Sequence, residues 1–208
     1  MKNISNDIKT NKIAKEQFLE LKNSFGTYSS FAVWKSIDNV SDISMFDTDK
    51  VLDEINNDYI FVALNPANHE NDDRGIVAFR NFHSKDPHQK DYKLCYALQN
   101  TRFWGSYITD LYKSFIETDS NVLIQKVKNN PLMVESDIKA LEKEIEILTK
   151  NEKKITLIAL SRYVEKQLKK YFKGKYKVAY VTHYSYRYNG CSDIEIYKNR
   201  VLKQLQEL

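Results

Sequence analysis

Three polar residues with chemically useful side chains each stand where an apolar run of the sequence ends. Asn65 follows one such run, Asp110 ends a second, and His183 follows a third. An amide both donates and accepts hydrogen bonds, and an ionised carboxylate only accepts. A neutral imidazole donates from one nitrogen and accepts at the other. Together these groups could form hydrogen bonds with a polar ligand. The three residues are therefore candidates for a common site, provided that the fold brings them together.

The apolar runs have the length and composition of buried strands. Four strands are predicted, at residues 59–64, 105–110, 155–160 and 177–182. The runs at residues 59–64 and 155–160 are close to continuous, which is typical of parallel strands that are covered on both faces. The carboxyl ends of parallel strands meet at one edge of a sheet, and ligands bind in the crevice between the loops there. Asn65, Asp110 and His183 are therefore expected at the same edge.

Apolar residues at helical spacing separate the predicted strands. Helices are predicted at residues 13–21, 92–98, 136–148, 163–172 and 194–208, with Ser136 as an N-cap, and a weak helical stretch is predicted through Phe115. Alternating strands and helices favour an α/β fold, with three α/β/α layers and a mostly parallel four-stranded central sheet. A single domain is expected over residues 1–208, with residues 1–55 as an N-terminal helical extension packed on it.

The composition excludes several classes of protein. With 42% hydrophobic and 29% charged residues, the chain is typical of a globular protein. No apolar run approaches the roughly 18 residues of a membrane span, and the N-terminus lacks the apolar core of a signal peptide, so a cytoplasmic protein without a membrane partner is expected. Cys95 and Cys191 stand far apart, without neighbours at metal-ligand spacing. We therefore expect no disulfide framework, no metal, no cofactor and a monomer.

The net charge of +4 is mild, but the positive charge is concentrated in one segment. Residues 162–177 carry seven lysines and arginines and a single acid, Glu165. Such a segment is typical either of a surface that binds an acidic partner or of a solvated helix face. The sequence leaves these two interpretations open.

Three short segments, taken in order, resemble the uracil-DNA glycosylase superfamily. They are ALNPA at residues 63–67, YITDLYK at residues 107–113 and HYS at residues 183–185. In that superfamily the corresponding segments carry Gly-x-Asn-Pro-Gly, a Thr-Asn pair and His-Pro-Ser. Two further segments, SFAVW at residues 30–34 and NFH at residues 81–83, are similar to uncharacterised bacterial members. The resemblance implies a single uracil-DNA glycosylase-like domain.

This resemblance implies a base-excision DNA repair enzyme, a monofunctional DNA glycosylase that hydrolyses the N-glycosidic bond of a flipped uracil or modified base. It implies that His183 donates a hydrogen bond to the base oxygen that gains charge, and that Asn65 holds the attacking water. A flipped base is sandwiched against an aromatic ring, for which Phe82 and Phe79 are the candidates. Ala67 would lie beside the base.

DNA is the expected partner, and the loop after the last predicted strand is its predicted contact. Ser185, Tyr186 and Arg187 combine a hydroxyl, an aromatic ring and a cation, which suits a loop that grips a phosphate and enters a groove. A tyrosine-rich loop packed on the domain would have the same composition. Both interpretations stay open at this point.

Four positions depart from the superfamily pattern. Asp110 stands where the pattern has asparagine, and an ionised carboxylate disfavours uracil against a base that offers a second donor, unless burial protonates it. Ala63 and Ala67 replace glycines, and Tyr184 replaces a proline. Alanine at position 67 would obstruct a backbone conformation with positive φ. A catalytically silent member of the same fold, which binds nucleic acid or a nucleotide, is therefore the alternative.

Two other enzyme classes have weaker support. Residues 69–73 include His69, Glu70, Asp72 and Asp73, which could serve a metal-dependent nuclease, although charged loops often have this composition. No Gly-x-Gly-x-x-Gly segment follows any predicted strand, which disfavours a dinucleotide-binding enzyme.

Overall fold

The structure is a computed structural model that describes residues 12–66, 76–150, 155–206 and 208. Within these ranges five strands form one sheet in the order β1-β3-β2-β4-β5. Their bounds are Ser29–Phe31 for β1, Asn56–Ala63 for β2, Ser106–Asp110 for β3, Thr156–Ala159 for β4 and Lys177–Tyr180 for β5. Neighbours among β2 to β5 pair in parallel, whereas β1 is antiparallel to β3.

The α/β class and the mostly parallel sheet are confirmed, but the predicted number of strands was wrong. The sheet has five strands, where four were expected. The predicted four correspond to β2 to β5, and the additional one is β1, a three-residue edge strand. Three residues are too few to show the periodicity from which a strand is recognised.

Six α-helices flank the sheet within the described ranges. Their bounds are Lys15–Phe25 for α1, Asp91–Leu98 for α2, Ser120–Asn129 for α3, Pro131–Thr149 for α4, Arg162–Phe172 for α5 and Ile194–Leu205 for α6. Short 3-10 helices occur at Ser44–Asp47, Asp49–Asp53 and Pro87–Gln89. In this part of the chain, every helix is too short or too polar to cross a membrane.

The sequence predicted the region between β3 and β4 least well. No helix forms at Phe115, and α3, which was not predicted, begins after Asp119, whose carboxylate accepts hydrogen bonds from two backbone N–H groups of its first turn. The helix α4 begins at Pro131, so Ser136 lies inside it rather than at its N-cap. Proline suits the first turn of a helix, because its missing N–H would have no partner there.

Parallel pairing places the ends of β2 and β3 side by side. Ala63 is paired with Asp110, and the N–H of Leu111 donates to the carbonyl of Ala63 at 2.9 Å. The ladder therefore continues to the last residue of each strand. As a result, Asn65 leaves the sheet directly beside the end of β3.

A separate apolar core lies on each face of the sheet. Successive residues of a strand point to opposite faces, so Ile60 and Val62 join the core formed with α1, α3, α4 and α5, whereas Phe61 and Ala63 join the core formed with α2 and α6. Burying a side chain such as Phe61 stabilises the fold by about 1.5–3 kcal/mol. The strands are thus held from both sides, and the loops at their carboxyl ends start from fixed positions.

A buried ion pair attaches the end of β3 to α4. Glu144 is fully buried, and one of its carboxylate oxygens accepts hydrogen bonds from the hydroxyls of Tyr107 and Thr109 at 2.8 Å each. Lys113 Nζ lies 2.7 Å from the other oxygen and donates to the carbonyl of Asp110 at 2.7 Å. Removing one partner of such a pair would leave a buried charge. The network therefore keeps the backbone at Asp110 in one position.

The segment predicted as an N-terminal helical extension contributes to the sheet as well. It includes α1, whose Gln17 side chain donates to the carbonyl of Leu148 in α4 at 3.2 Å, and it also includes β1. Residues 1–11 lie outside the described residues.

Candidate functional site

A cavity of about 500 Å³ opens at the carboxyl edge of the sheet, a size typical of small-molecule sites. Its wall includes Asn65 after β2, Asp110 at the end of β3, Ser161 after β4 and His183 after β5. The three residues singled out from the sequence thus line one cavity. The other lining residues are Ala63, Leu64, Asn81, Phe82, His88, Gln89, Glu117, Thr118, Ser120, Tyr184, Ser185 and Arg187.

The amide of Asn65 has a fixed orientation. Its Nδ2 lies 2.8–3.0 Å from three backbone carbonyls, those of Pro66, Phe115 and Glu117. These carbonyls can only accept hydrogen bonds, so the nitrogen must face them and the oxygen must face the other way. Among the described residues none donates to Oδ1. This oxygen is therefore available at the cavity wall as an acceptor, for example for a water molecule.

The imidazole of His183 is neutral, and its proton lies on Nε2. Nδ1 accepts the backbone N–H of Ser185 at 3.1 Å and lies 2.8 Å from the hydroxyl of the same residue. Burial, and to a smaller extent the positive charge of Lys93, lower the pKa of His183 to about 4. The ring stacks on Tyr184, with centroids 4.1 Å apart. Since Nδ1 is occupied as an acceptor, the cavity-lining imidazole has Nε2–H left to donate.

Asp110 is buried in the wall of the cavity, and Asn81 orients its carboxylate. The side-chain nitrogen of Asn81 donates to Oδ2 of Asp110 and to the carbonyl of Tyr28, both at 2.8 Å. The amide therefore connects β3 to the loop before β1. The position of Asp110 in the cavity is compatible with contact to a polar ligand, and an ionised carboxylate there would act as an acceptor.

The two phenylalanines proposed for base stacking lie in different places. Phe82 lines the cavity and has positive φ (67°). Phe79 is fully buried in the opposite core, where its ring packs against those of Phe18, Phe31 and Phe46. The fold thus brings Phe82 to the cavity and leaves Phe79 away from it.

Of the three residues predicted to contact DNA in the loop after β5, two line the cavity and one does not. Ser185 and Arg187 line the cavity. Tyr186 does not line it: its half-buried ring packs on the core beside α6, and its carbonyl accepts a hydrogen bond from Lys93 at 3.3 Å. Ala67 falls outside the described residues, as do His69, Glu70, Asp72 and Asp73.

The two segments SFAVW and NFH, which are far apart in sequence, pack against each other. The hydroxyl of Ser30 lies 2.8 Å from Nε2 of His83, and Trp34 Nε1 donates to the carbonyl of Phe82 at 3.0 Å. Nδ1 of His83 lies 3.2 Å from the carbonyl of Val40, so a neutral ring donates there and accepts from Ser30. These contacts hold the backbone that presents Asn81 and Phe82 to the cavity.

The buried His83 predicts a pH-dependent stability. Burial is the largest cause that lowers the pKa of His83, to about 4, from about 6.5 in the unfolded chain. The stabilisation is fully present above about pH 6.5 and is lost as the pH falls through about 4, because the unfolded state then binds the proton more tightly. Relative to a His83→Gln variant, the wild type should lose about 3 kcal/mol of unfolding free energy between about pH 7 and pH 4. Urea denaturation across this range measures the difference, and parallel curves would contradict it.

Several residues that line the cavity were not predicted as site residues from the sequence. Ser161 follows an apolar run directly, as Asn65 does, so the signal that identified Asn65 was present there too. Its hydroxyl caps α5 by accepting the N–H of Val164 at 3.1 Å. Glu117 comes from the segment before α3, where no helix had been predicted, and nothing local marks it.

The basic segment 162–177 contributes no residue to the wall of this cavity. The described ranges contain no group of three or more potential metal ligands. The acid in the basic segment 162–177, Glu165, pairs with Arg162 at 2.8 Å and with Lys169 at 2.7 Å. Part of the positive charge of that segment is therefore neutralised on α5 itself.

The comparisons with known proteins add no relative. None of the family models, curated proteins and solved structures with which the chain was compared matches it. The interpretation of the cavity therefore depends on its own geometry and chemistry.

Proposed function

We propose that this chain is a DNA glycosylase that hydrolyses the N-glycosidic bond of a flipped uracil or modified base. The observation that carries the proposal is the pairing of two groups in one cavity: the acceptor oxygen of Asn65 and the neutral donor of His183. The helix-covered sheet is compatible with the three-layer α/β/α fold of uracil-DNA glycosylase-like proteins, and we infer that fold.

The chemistry of base release suits these two groups. The sugar passes through an oxocarbenium-like state while negative charge develops on the departing base. The neutral ring of His183 would stabilise that charge by donating a hydrogen bond from Nε2. It would not need to transfer the proton to the base. Asn65 would hold a water through Oδ1, so that attack on the sugar becomes a step within one complex.

Two further residues shape the choice of base. The ring of Phe82 would stack on the flipped base. Asp110, whose Oδ2 already accepts from Asn81, would favour a base with an exocyclic amino donor over uracil. An ionised carboxylate and the O4 of uracil are both acceptors, so they cannot form a hydrogen bond with each other. The proposal therefore includes modified bases beside uracil.

A panel of labelled duplexes tests the proposal. Each duplex carries one uracil, hypoxanthine, mismatch or modified pyrimidine, and alkaline cleavage reports abasic sites after incubation with stoichiometric protein. We expect product from at least one duplex, with a rate at least about 100-fold lower for Asn65→Ala. Asn129→Ala, an exposed substitution on α3, is the matched control and should react as the wild type does. Absence of product from every duplex would contradict the proposal.

The second candidate is a catalytically silent member that binds nucleic acid or a nucleotide through the same cavity. The replaced motif residues Ala63 and Tyr184, which both line the cavity, favour it. Binding that weakens steeply with salt, persists in Asn65→Ala and is never followed by base release would identify this case.

A further inference from the structure

A second, smaller cavity adjoins the first. It has a volume of about 280 Å³ and shares three lining residues with the larger cavity: His88, Ser185 and Arg187. The other residues of its wall come from the start of α2 and from the loop before α6. They are Lys90, Tyr92, Lys93 and Ser192. None of the seven is acidic, and three of them are basic: Lys90, Lys93 and Arg187.

Among the described residues, these three cations lack a neutralising partner. Within residues 12–66, 76–150, 155–206 and 208, no carboxylate lies within ion-pair distance of Lys90, Lys93 or Arg187. By contrast, Arg162 and Lys169 on α5 both pair with Glu165. Like charges that share a site without a counter-charge repel one another, and an anion bound between them would relieve that repulsion.

Lys93 has an unusual environment for a lysine. The residue is 2% exposed, and its Nζ donates to two neutral groups, the carbonyls of Tyr186 and Cys191. The ammonium group also lies 4.8 Å from the ring centroid of Tyr197. Burial is the largest cause that lowers the pKa of Lys93; Cys191 raises this pKa, and the charges of Lys90 and Arg187 lower it. The neutral carbonyls orient this cation without cancelling its charge.

The backbone around the small cavity is also restrained. Lys90 has a left-handed conformation with φ 67° and directly precedes α2, so its side chain projects from the turn that starts the helix. The hydroxyl of Ser192 donates to the carbonyl of Arg187 at 3.2 Å.

We propose that the small cavity binds a phosphate group of the same ligand whose base occupies the large cavity. This inference rests on the proposed function for the identity of the base, and its own content is a phosphate subsite formed by Lys90, Lys93 and Arg187. The chemistry is shared by a DNA strand and by a free nucleotide. Ser185 and Arg187 join the two cavities, so one ligand can extend from one into the other.

Fluorescence anisotropy with a labelled single-stranded oligonucleotide of about 15 nucleotides tests this subsite. Lys90→Ala and Arg187→Gln should each weaken binding about 10-fold at about 100 mM KCl and reduce the slope of log K against log salt by about one. Lys166→Ala removes one charge from the exposed face of α5 and is the matched control, for which affinity and slope should stay unchanged. Equal effects at all three positions would show general attraction and would overturn the proposal.

Competitors identify the source of the phosphate. At constant ionic strength, inorganic phosphate and deoxynucleoside monophosphates should displace the oligonucleotide, whereas deoxynucleosides should not. Inorganic phosphate should displace the oligonucleotide less readily from Lys90→Ala than from the wild type. Displacement by monophosphates at concentrations far below those of the unlabelled oligonucleotide assigns the subsite to free nucleotides, and displacement by the unlabelled oligonucleotide at the lower concentration assigns it to a DNA strand. If phosphate and nucleosides compete equally, or if no oligonucleotide binds, the subsite does not exist.

The binding readout separates this inference from the proposed function. If no duplex is cleaved but the phosphate effects are present, the glycosylase proposal fails and the subsite stands. If a duplex is cleaved and Lys90→Ala and Arg187→Gln bind and cleave it as the wild type does, the subsite fails and the glycosylase proposal stands.

Discussion

Replacing Lys113 with methionine is expected to lower the free energy of unfolding by about 3–5 kcal/mol. The side chain of Lys113 is 5% exposed and that of Glu144 is 0% exposed, with 2.7 Å between their charged atoms. Methionine fills a similar volume but leaves the carboxylate of Glu144 without a cation inside the core. Urea denaturation near neutral pH measures the loss.

Two further variants test the cause of this effect. Lys139→Met removes a cation from the exposed pair that Lys139 forms with Glu135 at 2.7 Å, and it should cost less than about 1 kcal/mol. In the double variant Lys113→Met with Glu144→Gln, the buried charge is absent and an acceptor remains for Tyr107 and Thr109. Most of the lost stability should return. A double variant as unstable as Lys113→Met alone would show that packing, rather than the isolated charge, is responsible.

Replacing His183 with alanine is expected to slow base release by about 100- to 1,000-fold on any duplex that the wild type cleaves. Among the described residues, the imidazole forms hydrogen bonds only with Ser185 of its own loop, so the fold should tolerate the change. The rate should fall through kcat more than through KM, because the hydrogen bond to the base strengthens as the base gains charge. Single-turnover rates measure the effect, and unfolding curves serve as the stability control.

The pH dependence of the rate distinguishes a neutral from a charged imidazole. With a pKa lowered to about 4, chiefly by burial, His183 stays neutral between about pH 5.5 and pH 8, and its contribution to the rate should be constant there. His183→Gln keeps a side-chain N–H donor and should recover part of the rate lost in His183→Ala. If the wild-type rate falls as the pH rises from about 6 to about 7, and the rates of the His183 variants do not, the active histidine is cationic instead.

Much of the sheet could be predicted because its signals are local. The run before Asn65 is apolar over six residues, and the run before Ser161 is apolar except for Thr156. This composition and length are typical of a strand covered on both faces. The edge strand β1 carries no such signal, since its three residues are Ser29, Ser30 and Phe31. The start of α4 was misplaced for a related reason: the apolar stripe becomes regular only after Ser136, whereas the backbone turn is set at Pro131.

The candidate site was partly predictable for a different reason. Parallel strands in a sheet place their carboxyl ends at one edge, so residues that follow separate strands lie along that edge whatever their distance in sequence. Asn65, Asp110 and His183 satisfy this rule. Phe79 and Phe82 do not differ in any local pattern that tells which of them faces the cavity. Both have positive φ, and their surroundings alone separate them.

By itself the sequence determined the α/β class, the four parallel strands and the polar residues at their ends, because hydrophobic periodicity and the sites of chain reversal depend on near neighbours. Only the tertiary structure decided which atoms of those residues are available. The carbonyls that turn the oxygen of Asn65 toward the cavity lie up to 52 positions away along the chain. Lys93 and Arg187 line the same small cavity because α2 packs beside the loop before α6. Such contacts form between distant segments, and no local pattern in the sequence encodes them.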